Sequence, residues 1–381
     1  MDLNDYFEPV ALDKPEGSLR ISDAMLGHNI RINTPNTPID EISNYQLAIM
    51  GVAEDRNSVN TGSAMAADHI RASLYELFRV NDKLRIIDLG NLRQAATVSD
   101  TYFGIRDVMT DLLNNQVTAI VLGGTQDITH ALYMAFEQQA GKVNMVTVDA
   151  RIDLDEGAVS SFSWMQPVMR SPKLFRCTCL GNQQYLVDRK HQEYLEERGF
   201  DNIRLGALRS NISLTEPLLR DAHLVSFDIA AVKQSEAPAT RYPSPNGLAA
   251  EEACQLARYA GLSDQVSCFG LFEINPEYDL HGQTARLAAQ SIWYFMEGFS
   301  QRKREKPSQN NPDFKVFLVN HQDMEYALTF YKSVMTGRWW MEIPELKTGG
   351  QVVVACSQEE YQQACSHDIP EMWWKAFQRI N

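Results

Sequence analysis

Residues 118–153, TAIVLGGTQDITHALYMAFEQQAGKVNMVTVDARID, decide the fold. TAIVL is a short, wholly apolar run that stops at Gly123-Gly124, and VNMVTVD (143–149) is a second run that stops at an acid. Between them lies enough chain for a crossover helix, so the two runs read as parallel strands. The alternation extends in both directions. Upstream come LAIMGV (47–52), a helix with Ile70, Leu74, Leu77 and Phe78 on one face, and RIIDLG (85–90). A further helix follows, its stripe of Ile105, Val108, Met109, Leu112 and Leu113 spaced i, i+3, i+4, i+7, i+8. Downstream, HLVSFD (223–228) and CFGLFEI (268–274) repeat the strand signal. The expected class is α/β, a three-layer αβα sandwich around a mainly parallel sheet.

The chain's 381 residues have room for one large α/β domain with appendages. Residues 1–45 are polar and Pro-dotted and read as an irregular lead-in; 46–300 carry the α/β pattern. QRKREKPSQNNPD (301–313) reads as an exposed loop, with two readings: an anion contact through its basic run, or a solvated turn. Residues 314–381 form a C-terminal extension with strands at KVFLV and QVVVAC, a helix around MEYALTFYKSVM and a closing helix, expected to pack on the sheet edge and add strands to it. It holds Trp339, Trp340, Trp373 and Trp374, with two readings: one ring of each adjacent pair at the surface, where it would suit a protein interface, or both pairs buried as satellite clusters against the sheet edge.

Acidic residues outnumber basic ones 49 to 35, for a net charge of −14, which argues against nucleic-acid or anionic-membrane partners. No apolar stretch approaches ~18 residues and the first residues lack a leader pattern, so a cytoplasmic protein is expected. The six cysteines show no zinc spacing; Cys177-x-Cys179 reads as strand alternation rather than a metal pair.

In parallel sheets, sites form at the carboxyl ends of the strands. Asp149, Asp228 and Glu273 stand at such ends, with Asp153 in the loop after the first. Gathered over one edge, these carboxylates raise one another's pKa unless something positive sits among them, a hard divalent cation or an arginine. The other polar candidates are weaker. His130 and His281 are lone histidines near helices, and His223 stands at the start of a strand, the wrong end for this site.

These pieces bring a resemblance over roughly residues 46–298. GVAEDRNSVNTGSAMAADHIRASLYEL, IVLGGTQDIT, VDARID, SFDIAAV, EAPATRYPSPNGL and FEINPEYDLHGQTARLAA resemble, in order, the motifs of the arginase, agmatinase and formimidoylglutamase superfamily of ureohydrolases, with formimidoylglutamase nearest in look. The resemblance implies an arginase-like fold. It also implies two manganese ions on six side chains, with a bridging hydroxide that attacks a guanidinium or formimino carbon. Asp149, Asp153 and Asp228 match ligand positions, whereas Gln126 and Arg151 stand where the family has histidines and Ala230 where it has an aspartate. Glu273 matches the carboxylate that binds the substrate's guanidinium, and its other reading is support of the Asn275-Pro276 corner. After Asp153, the recognition loop carries Ser160, Ser161 and Ser163 but also Phe162 and Trp164, which suggests a partly filled pocket.

The expected function is therefore a ureohydrolase-fold protein without the binuclear centre, acting in binding or assembly with a protein partner or as a homo-oligomer, and with no cofactor. The alternative is a C–N hydrolase of a linear amidine or guanidine. It would use one weakly bound Mn, Mg or Ca ion on Asp149, Asp153 and Asp228, with the Gln126 carbonyl as a fourth oxygen. Arg151 is expected to reach among the carboxylates and replace the metals electrostatically.

Overall fold

Along each central strand, successive side chains enter opposite cores: Leu47 and Ile49 face one, Ala48 and Met50 the other, and Ile120 and Val121 divide in the same way. This period of two leaves both faces of the sheet apolar and obliges helices to cover both. The computed structural model describes residues 1–11, 22–320 and 327–381. Its ten-stranded sheet comprises β1 (Phe7–Glu8), β2 (Arg31–Ile32), β3 (Leu47–Val52), β4 (Ile86–Leu92), β5 (Thr118–Leu122), β6 (Val143–Val148), β7 (Leu174–Asn182), β8 (Asp201–Arg204), β9 (Leu224–Asp228) and β10 (Cys268–Phe272). The order is β1-β4-β3-β5-β10-β9-β6-β7-β8, with β2 also on β4; all pairings are parallel except β1 with β4. Helices Ala66–Leu74, Ala250–Leu262 and Gln283–Ser300 cover one face, and Val98–Asn114 and Ile128–Glu137 the other. Each fully buried Leu, Ile or Phe contributes roughly 1.5–3 kcal/mol to that packing.

The register decides where the site can be. Leu271 pairs with Leu122, Phe272 with Asp228, and Val148 with Phe227, so the carboxyl ends of β5, β10, β9 and β6 finish side by side.

The extension differs from expectation. It adds no strand to the main sheet, and its own antiparallel sheet runs β11 (Phe314–Val319), β12 (Leu328–Ser333), β13 (Trp339–Glu345) and β14 (Gly350–Cys356). The expected helix around MEYALTFYKSVM is strand β12 over its described part, because Leu328, Phe330 and Tyr331 are buried on two faces of that small sheet; residues 321–326 lie outside the described residues. Trp339 and Trp340 are both buried, correcting the reading with one exposed ring. Helices cover one side of β13, while Phe314 and Arg220, at 4.3 Å from the Trp340 ring, cover the other. Trp374 is 46% exposed beside buried Trp373. The lead-in is not wholly irregular either, since it supplies β1 and β2.

Polar contacts join the two sheets. Asp221 Oδ2 accepts from Ala355 N (2.7 Å), Arg220 Nη2 donates to Cys356 O (2.9 Å), and Arg338 pairs with Glu216 (3.1 Å). Asp201 on edge strand β8 pairs with Arg176 (2.7 Å) and with Lys375 of helix Glu371–Ile380 (3.3 Å). Burial alone would raise the Asp201 carboxyl, but Arg176 and then Lys375 hold it below its ordinary value.

Candidate functional site

The loop after β5 begins the site. Gly123 and Gly124 take φ of +77° and +71°, and a Cβ on Gly124 would lie 2.7 Å from the Glu54 carbonyl oxygen, so only glycine fits this turn. The turn delivers the backbone N–H of Gln126 to Glu273 Oε1 (2.9 Å) and leaves the Gln126 side chain fully buried. Glu273 itself sits at φ +64°, and its Oε2 accepts from Asn60 Nδ2 (2.9 Å), as does its carbonyl. Both readings of Glu273 thus meet in one residue: it faces the cleft, and it braces the turns around it.

The Gln126 amide lies between two hydroxyls and two carboxylates, and this network orients it. Its oxygen accepts from Thr147 Oγ1 and Ser226 Oγ (3.2 Å each), and its nitrogen donates to Asp149 Oδ2 (3.0 Å) and Asp153 Oδ2 (2.9 Å). The Gln126 amide thus stands where the expected fourth oxygen ligand would, and in this network it presents its N–H to the carboxylates. Thr147 and Ser226 each precede a strand-end aspartate by two residues, and so share its face.

Further donors meet the carboxylates. Asp149 Oδ1 accepts from Arg151 N (2.8 Å), Asp228 Oδ1 from Ala230 N (2.7 Å), and Asp153 Oδ2 also from Trp164 Nε1 (2.9 Å). Burial, then the neighbouring Asp153, pushes Asp149 well above the carboxylate range; burial, then Asp149, does the same to Asp228. Burial raises Asp153 to about 7, and burial together with Asp228 raises Glu273 to about 8. The cluster relieves its charge by keeping protons and by using neutral donors.

Arg151 is placed otherwise than expected. Its guanidinium makes no ion pair within 4.0 Å among the described residues; it lies 5.7 Å from the Phe162 ring centroid and 5.6 Å from that of Tyr242. Its charge acts on Asp149 and Asp228 only at longer range. The side chain is long enough to leave the acids for two aromatic faces, a favourable setting for a cation. Arg151, Phe162 and Tyr242 close the mouth, and the space inside is about 20 Å³, enough for a water molecule or two.

The donor set does not fit a pair of manganese ions. Of the six positions, one presents an amide N–H, one a guanidinium turned to aromatic rings and one a methyl group. Among the described residues no three His, Cys, Asp or Glu side chains converge closely enough to hold a metal ion. The remaining candidates fall away from the cleft. His223 Nδ1 accepts from Asn144 N at the far end of the sheet (3.0 Å), His130 packs edge-on to Tyr102, His281 is exposed, and Cys177 and Cys179 are buried in a core. Asn60, Thr147, Ser226 and Tyr242 belong to the site without having been singled out from sequence. The period-two offset from Asp149 and Asp228 was the available signal for Thr147 and Ser226.

Comparison with known proteins agrees with this geometry at the level of fold. The profile of the Arginase family matches residues 45–297. The formimidoylglutamase of Photorhabdus laumondii is 25% identical over 296 residues, covering 70% of this chain and 90% of that protein, and that of Staphylococcus haemolyticus is 23% identical over 266 residues, covering 66% and 85%. Among solved structures, Trypanosoma cruzi formiminoglutamase with Mn2+ superposes with a TM-score of 0.66 at 21% identity, covering 69% of this chain and 96% of that one. Bacillus subtilis formimidoylglutamase gives 0.68 at 18%, covering 77% and 97%.

Proposed function

The chain belongs to the arginase family, and from that premise we propose that it is a member in which a hydrogen-bonded amide has taken the place of the binuclear metal centre, leaving a protein that works by binding or assembly rather than by hydrolysis. One placement carries this reading: the Gln126 amide lies 3.0 and 2.9 Å from Asp149 Oδ2 and Asp153 Oδ2, the carboxylates that the family resemblance assigns to the metals, and the hydroxyls behind it turn its N–H toward them. A donor in that position competes with any cation for the same oxygens, and Ala230 and Arg151 supply no replacement ligands. The partner is a protein or further copies of this chain. Among the described residues no helix is long and apolar enough to cross a membrane, and all six cysteines are unpaired, which supports the cytoplasmic reading.

A second reading is favoured by the names of the relatives and by the survival of Asp149, Asp153, Asp228 and Glu273 around one cleft. In it the chain remains a metal-dependent hydrolase of a C–N bond in a linear amidine such as N-formimidoylglutamate. Elemental analysis of protein purified with manganese and without chelator separates the two, run beside assays of formamide release from N-formimidoylglutamate and urea release from arginine and agmatine. The first reading expects no bound manganese and no turnover. Bound metal with metal-dependent formamide release would overturn it in favour of the second.

A further inference from the structure

A concavity of about 640 Å³ lies at the amino ends of the strands, opposite the carboxylate cleft. Its floor is the chain just before β3, β5 and β10 (Gln46, Gln116 to Thr118, Gln265 and Ser267), and its wall is the segment 302–306 that follows helix Gln283–Ser300. The basic run of that segment, read from sequence as either an anion contact or a solvated turn, is neither free nor spent within the fold. Arg302 is its structural member. It donates to the Gly261 and Val266 carbonyls (2.9 and 2.8 Å) and lies 4.0 Å from the Phe299 ring centroid, so it anchors the segment on the helix end. Arg304, held at φ +52°, and Lys306 follow it into the cleft, and Lys83 reaches in from the opposite rim. None of Lys83, Arg304 and Lys306 makes an ion pair among the described residues.

Two acids line the same space. Glu305 is turned away, its carboxylate accepting from Thr336 Oγ1 (2.9 Å) and facing Arg338 (3.7 Å), and Asp264 Oδ2 is taken by the Glu305 N–H (3.0 Å). Lys83, Arg304 and Lys306 therefore face the cleft without an ion-pair partner among the described residues, in a chain whose net charge is −14. Burial brings the Arg302 guanidinium down to about 9, against the pull of Asp264. Like charges gathered without counter-ions cost free energy in the empty state, and a bound anion relieves that cost.

We propose that this cleft binds a small phosphorylated molecule, its phosphates held by Lys83, Arg304 and Lys306 and its neutral polar part by the amide and hydroxyl side chains of Gln46, Gln116, Thr118, Gln265 and Ser267. The volume is that of a pocket for a nucleotide or sugar phosphate. A long polyanion fits less well, because the acidic surface beyond the cleft repels it. The site lies outside the arginase-type cleft, so it stands or falls separately from the reading of that cleft.

Calorimetric titrations of the full chain with pyrophosphate, ADP, ribose 5-phosphate and adenosine, at low ionic strength, test it. Saturable binding of the phosphorylated probes but not of adenosine is expected, weakening as salt shortens the screening length to about 8 Å at physiological strength. ADP tighter than pyrophosphate would identify a nucleotide as the ligand type, and ribose 5-phosphate tighter than both a sugar phosphate. Arg304→Glu with Lys306→Glu, both exposed and without ion-pair partners, should keep the fold and weaken binding about tenfold or more. No saturable binding of any phosphorylated probe at about 5 mM, equal affinity in the double variant, or binding of an oligonucleotide alone would overturn the proposal.

Discussion

Replacing Gln126 by alanine tests the physical core of the site. The substitution deletes two N–H donors to carboxylates, at 3.0 and 2.9 Å, from a fully buried position that solvent does not reach. Above pH 7 Asp153 is ionised while Asp149 keeps its proton, so one bond contributes about 1.5–3 kcal/mol and the other about 0.5–1.5, roughly 2–4.5 kcal/mol together. On the other side of the amide Ser226 Oγ keeps Thr129 Oγ1 at 2.7 Å, while the buried Thr147 hydroxyl loses its amide partner and adds to the loss. A loss of about 4 kcal/mol, with a urea m-value of about 3 kcal/mol/M, lowers the unfolding midpoint by roughly 1.3 M. The loss should also depend on pH. Asp153 is raised to about 7, so the native state binds that proton more tightly than the unfolded chain does; this contribution is complete below 3.8 and drains away as pH rises through 7. Without the amide, which favours the ionised form, the folded pKa climbs further and the drain extends to higher pH. The deficit of Gln126→Ala relative to the parent should therefore be smallest near pH 5 and largest near pH 8, read by urea unfolding with chelator present. A midpoint within about 0.3 M of the parent at both pH values would refute the role given to Gln126.

Joint replacement of Gln126→His, Arg151→His and Ala230→Asp should raise manganese content above that of the parent, read by elemental analysis of both proteins side by side. Trp164→Phe removes the indole donor to Asp153 and should cost about 1.5–3 kcal/mol, whereas Trp374→Ala, on the surface, should stay within about 0.5 kcal/mol in the same unfolding assay. Asp201, whose carboxyl is held low, contributes stability that is present above 3.8 and lost as pH falls through its lowered folded value. Asp201→Asn should flatten that acid limb and loosen the C-terminal sheet at neutral pH, by about 2–4 kcal/mol in thermal unfolding and by earlier proteolysis between residues 301 and 313.

The strands of the main sheet were legible because each is a short apolar run ending in glycine or an acid, and the four carboxylates were legible because strand ends are where such sheets gather ligands. Two things were not. Side-chain reach is one: adjacency of Arg151 to Asp149 and Asp153 suggested an ion pair, but the guanidinium takes the aromatic faces of Phe162 and of Tyr242, some ninety residues away in the chain. The other is the polarity of an amide. A glutamine offers an oxygen or a nitrogen, and only the hydroxyls of Thr147 and Ser226 decide which end meets the acids. The strand at Leu328–Ser333 was misread as helical because its apolar residues are buried on both faces of a small sheet, which erases the period of two.

The amide of Gln126 also bears on how the site can change. Its backbone is pinned to Glu273 and its side chain to Asp149 and Asp153, so a single substitution toward the family's ligand set gives up existing contacts first. A histidine at 126 alone discards the donors while two ligands are still missing. An aspartate at 230 alone adds another carboxylate to an already protonated cluster, and a histidine at 151 alone strips the cation from the mouth. Each single change removes contacts that the other two positions do not replace, so the three positions are coupled and exchange only as a set.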